Sequence, residues 1–137
     1  MGYVRITDRP EELFHYTRRD NLASILRDGR IKRMGDAECW FCSTLNDTLE
    51  LMRATVMVEG KPYVKLGGSI GRYPKFQPED YVILRLKPRY QNGEWVRWMQ
   101  EMPPGTPPEL LKAAENFSNL KLGFRGDLKF WPEPEII

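Results

Sequence analysis

The chain has 137 residues, 41% of them hydrophobic and 29% charged, and carries a formal net charge of +2. That length accommodates one hydrophobic core and not two, and no window approaches the roughly 18 consecutive apolar residues of a membrane span. A charge this small does not by itself argue for nucleic acid, although Arg18–Arg19, Arg27–Arg33 and Arg85–Arg89 form local basic groups.

Residues 1–10 read as a polar lead-in with Tyr3, Val4 and Ile6 as an edge strand. The start, MGYVRITDRPEEL, lacks the apolar core of a signal peptide, so a cytoplasmic location is expected. Leu13, His15 and Thr17 alternate with Phe14 and Tyr16, the period of a strand with side chains on two faces. Thr17 and Asp20 then stand at capping-box spacing before a helix whose Leu22, Ile25 and Leu26 share one face, with Gly29 as its left-handed stop. The sole histidine therefore sits on a strand just ahead of a helix, beside a hydroxyl and two arginines.

Gly35-Asp36 reads as a turn, and Cys39-Trp40-Phe41-Cys42 as a short buried strand. In a strand the two cysteines point to opposite faces, and with one histidine and no second C-x-x-C a zinc site lacks ligands, so these are structural thiols and no metal is expected. Asp47 with Glu50 marks a helix start, with Leu45, Leu49, Met52 and Val56 at helical spacing. Val56–Val58 and Tyr63–Leu66 predict two strands around a turn at residues 59–62, followed by a glycine-rich loop over 67–74 near a pocket mouth.

Tyr81–Leu86 is the clearest strand and reads as buried on both faces. Residues 94–99 fit a strand or a helical turn equally well. Thr106-Pro107-Pro108-Glu109 places a cap, proline at N1 and glutamate at N3, for a helix packing through Leu110, Ala113, Ala114 and Phe117. The ending LKLGFRGDLKFWPEPEII reads strand, turn, strand.

A strand ending His15-x-Thr17, followed at once by NLASILRDGRIK, resembles the opening of the ADP-ribosyltransferase-like fold. It looks most like the small bacterial and phage members and the DarT-type DNA-modifying enzymes. The aromatic–hydroxyl stretch Trp40, Phe41, Ser43, Thr44 is similar to that family's second strand, and the glycine turn with Glu133-Pro134-Glu135 to its closing E-x-E strand. The family tyrosine on or just after the second strand is missing; an aromatic substitutes, or Tyr63 or Tyr73 comes in from elsewhere.

The resemblance implies a single α+β domain over residues 1–137, a split β-sandwich of two small, mostly antiparallel sheets with helices near 18–28, 47–57 and 107–117. It implies an NAD-dependent ADP-ribosyltransferase that releases nicotinamide and modifies a protein or nucleic-acid acceptor, with no membrane partner and a monomeric state. His15 and Thr17 would seat NAD, and Trp40, Phe41, Ser43 and Thr44 would shape the nicotinamide pocket. Arg18, Arg19 or Arg72 would meet the pyrophosphate or a nucleic-acid acceptor. Glu135, with Glu133 nearer the acceptor, would stabilise the oxocarbenium-like transition state; Glu94 and Glu101 are fallback carboxylates. The alternative is a non-catalytic module on the same scaffold, a phage or mobile-element protein that blocks a host protein or nucleic acid.

Overall fold

The computed structural model describes residues 2–6, 10–33, 38–89, 91–99 and 102–137. Among the described residues it is an α+β domain with three α-helices and small antiparallel sheets. The expected turn at Gly35-Asp36 and the fallback Glu101 lie outside the described residues.

One sheet has the order β1-β8-β9-β4, from strands Gly2–Ile6, Trp95–Met99, Leu122–Arg125 and Glu38–Phe41. A second has the order β11-β7-β2, from Glu135–Ile136, Tyr81–Leu86 and Leu13–Arg18. Two short pairs complete the strands: β3 (Arg30–Ile31) with β10 (Leu128–Lys129), and the hairpin β5 (Pro62–Val64) with β6 (Ile70–Arg72). Residues 95–99 are thus a strand, decided by the neighbours β1 and β9 on either side of it.

The core forms where the inner faces of both larger sheets meet. Leu13, Val82, Leu84 and Leu86 come from one, and Cys39, Phe41, Trp95, Leu122 and Phe124 from the other. Leu13 and Leu84 are fully buried. β7 is buried on one face only, because Ile83 and Arg85 alternate with Val82, Leu84 and Leu86. The arginine gives that strand a wet side that an apolar run alone did not suggest.

Helix α1 (Leu22–Asp28) begins after a short 3-10 turn over Arg19–Asn21, with no side-chain cap from Thr17 or Asp20. It ends as expected at Gly29, whose φ of 65° an L side chain resists. Helix α2 (Leu45–Thr55) starts earlier than its Asp47 suggests: Thr44 is the cap, its Oγ1 accepting from the Asp47 N–H at 3.0 Å. Its buried residues are Thr48, Leu51 and Met52.

Helix α3 (Pro108–Asn119) follows the Pro-Pro signal, but its N-cap is Pro107 and not Thr106, whose hydroxyl donates to Pro103 O. Of the expected face Leu110 and Ala113 are exposed and Ala114 and Phe117 are partly buried, with only Ser118 of the helix buried. Half of the expected packing face is thus in solvent. No strand forms over 56–58, although Glu59-Gly60 is a turn as expected. β5 and β6 are joined by a tight turn in which Gly68 N–H donates to Lys65 O at 3.0 Å, so part of the stretch expected as a loop over 67–74 is strand.

Candidate functional site

β2 and β4 are edge strands of the two larger sheets, and they touch at a single rung. Phe14 and Cys42 exchange both backbone hydrogen bonds, each 2.8 Å. In an antiparallel ladder the next such rung would pair Tyr16 with Trp40. It does not form. The Trp40 carbonyl instead accepts from His15 Nδ1 at 2.9 Å, so the strands part and the imidazole spans the gap.

A carbonyl oxygen only accepts, which fixes the proton on Nδ1 and leaves Nε2 of the neutral ring as an acceptor. Nε2 has no hydrogen-bond partner among the described residues. Burial pushes the His15 pKa below 6.5, opposed in part by the Trp40 hydrogen bond. The ring is therefore neutral at neutral pH.

A cleft of about 400 Å³ opens where the strands diverge, within the range of small-molecule sites. His15, Tyr16, Thr17, Trp40 and Phe41 all line it. Phe41 is buried and packs its ring 5.2 Å from the imidazole and 6.4 Å from Trp95. Trp40 lies across Gly123, its strand partner; a Cβ there would come within 3.0 Å of the indole. The Lys121 ammonium caps the same indole at 4.7 Å and the Phe117 ring at 5.6 Å. Thr17 Oγ1 accepts from Asn21 Nδ2 at 3.0 Å, so this hydroxyl is tied to the turn that opens α1.

The other expected site residues lie elsewhere. Ser43 and Thr44 are exposed and outside the cleft, and the Thr44 hydroxyl caps α2. Arg72 is on β6 and donates to Gly60 O at 2.9 Å. Arg19 donates to Glu79 O and Tyr81 O, while Arg18 lies over the Tyr81 ring at 5.5 Å. Tyr63 and Tyr73 pack on each other, at 4.9 Å between ring centroids, and neither lines the cleft. Glu94 pairs with Arg5 and Arg125.

Glu135 does not meet His15. On β7, Arg85 pairs with both Phe14 and Glu135, whereas Leu84 pairs with His15. Directly paired residues share a face and successive ones alternate, so Glu135 projects from the face opposite the imidazole. Its side chain is 69% exposed and stands 3.9 Å from Arg85. Glu133 is exposed too. The carboxylates that do line the cleft are Asp28 and Glu38. Hydrogen bonds from Lys32 and then Arg27 hold Asp28 below the usual carboxylate range. Glu38 is buried and ion-paired with Arg125 at 3.4 Å.

Several cleft residues escaped sequence reasoning: Tyr16, Asn21, Glu38, Thr55 and Lys121. Tyr16 was adjacent to the histidine, and its hydroxyl meets Thr55 Oγ1 at 2.9 Å. Lys121 had no signal, because strand register alone brings β9 beside Trp40. Cys39 and Cys42 also line the cleft, with pKa values pushed up to about 11 chiefly by burial, which keeps both as inert thiols. Among the described residues no group of three or more His, Cys, Asp or Glu could hold a metal ion, and no helix is long and apolar enough to cross a membrane. Comparison with family models, curated proteins and solved structures finds no match to this chain.

Proposed function

We propose that this protein is a binding domain of the ADP-ribosyltransferase-like type that takes an NAD-class dinucleotide into the cleft between β2 and β4, without bond breaking by Glu133 or Glu135. The observation that carries the reading is the missing rung, where a neutral imidazole replaces the backbone contact between two parted strands. Nε2 is an acceptor suited to a ribose hydroxyl. Strand alternation turns the Tyr16 N–H and C=O toward the gap, a donor and acceptor that match a planar carboxamide. Trp40 and Phe41 add aromatic surface beside them. Transfer of ADP-ribose needs a carboxylate close to the developing charge, and the exposed placement of Glu135 on the other face of the sheet weighs against that step.

Titration calorimetry with NAD tests the reading. Wild-type protein binds, and His15→Ala weakens binding by about tenfold or more, the loss of one well-placed hydrogen bond and its packing. Absence of NAD binding to wild type would sink it. A second reading, a transferase acting through Glu38, is favoured by that carboxylate's burial beside the cleft. Nicotinamide release from labelled NAD that is lost in Glu38→Gln and kept in Glu135→Ala would establish it.

A further inference from the structure

The β5–β6 hairpin forms a two-stranded sheet of its own and lines no part of the cleft. Residues 60–78 include Lys61, Lys65, Arg72 and Lys75 and contain no aspartate or glutamate. Every residue from Lys61 to Ile70 is exposed. Val64 is 70% exposed, Ile70 64%, and Leu66 at the turn fully exposed. Val64 pairs with Ile70, so the two aliphatics share a face. Tyr63 and Lys65 cover Gly71 on the other side, where an added Cβ would fall 2.6 Å from Lys65 Cε and 2.8 Å from the Tyr63 ring. Leu66 leads into Gly67 and Gly68, whose φ values of 97° and 90° turn the chain back.

Three aliphatics in water within the seven residues from Val64 to Ile70, in a stretch that also carries four cations, are not a solvated loop. Nor do they suit a nucleic acid, which would neutralise the cations and leave Val64, Leu66 and Ile70 wet. An anionic bilayer satisfies both halves at once, since aliphatic tips enter the headgroup boundary while lysines and arginines meet lipid phosphates, and tyrosine suits the interface. We propose that the hairpin is a docking element for an anionic lipid surface. Such contact needs no spanning helix.

The full-length protein sedimented with vesicles of one-third phosphatidylglycerol in phosphatidylcholine tests this. Expected is partitioning to these vesicles, none to pure phosphatidylcholine, and release between about 0.1 M and about 1 M salt as screening shortens. Leu66→Ser weakens partitioning by about tenfold and each of Lys61→Ser and Lys65→Ser by about fivefold. All three positions are exposed, so melting is unchanged and folding does not confound the result. No partitioning by wild type, or equal partitioning by wild type and variants, overturns the proposal. Retention of a single-stranded oligonucleotide or a partner protein through the same residues, with no vesicle binding, overturns it in favour of that other surface.

Discussion

Strand β2 and strand β11 flank the same strand, β7, yet end in different worlds. Opposite Leu84, His15 turns inward to a half-buried, neutral, hydrogen-bonded state. Opposite Arg85, one residue along, Glu135 turns out to solvent. A strand's two-residue period means that one step of register decides whether an acid and an imidazole share a face. Chain order and motif resemblance carry no information about that step.

The largest effect that separates these regions is on packing. Phe41→Ala empties the floor beneath His15 and is expected to cost about 3–5 kcal/mol in urea denaturation, whereas Glu135→Ala leaves the midpoint unmoved. Equal effects would mean that the tail is part of the core after all. Next comes ligand binding, where, on the proposed function, His15→Ala is expected to weaken NAD by about tenfold or more in calorimetry and Glu135→Ala to leave the affinity as it was.

A pH titration sharpens the contrast further. Because burial lowers the His15 pKa, the unfolded chain binds a proton that the folded one refuses, so stability is complete above pH 6.5 and declines as pH falls below it. His15→Gln should flatten that limb of the curve. Glu135→Gln should not. The thiols give an opposite sign: with folded values near 11 against 9.0 for a free thiol, their contribution is present below pH 9 and fades as pH climbs through 11. At pH 8 a thiol reagent should accordingly modify Cys39 and Cys42 only as fast as the protein opens. The smallest effect is Thr44→Ala, about 1 kcal/mol from the lost α2 cap, with NAD binding retained; loss of binding would return Thr44 to the site.

Local signals were well read where they depend on neighbours in sequence. β2, the Gly29 stop, β4 and the Pro-Pro start of α3 follow from alternation, left-handed geometry and missing donors. The helix caps were harder. Thr44 and Asp47 are both good caps, and only backbone geometry chose between them. The α3 face held only in part, for a different reason. Apolar spacing says that a helix has a face, not that something lies against it, and Leu110 and Leu111 remain in water.

The order of residues alone determined that a single histidine would sit on a strand feeding a turn and a glycine-stopped helix, because those preferences act over a few residues. Tertiary structure alone decided that β4 would part from β2 after one rung, that Lys121 would reach Trp40, and that Glu135 would lie across the sheet from His15. Those outcomes depend on register between strands distant in sequence. Register is set by how the whole core packs.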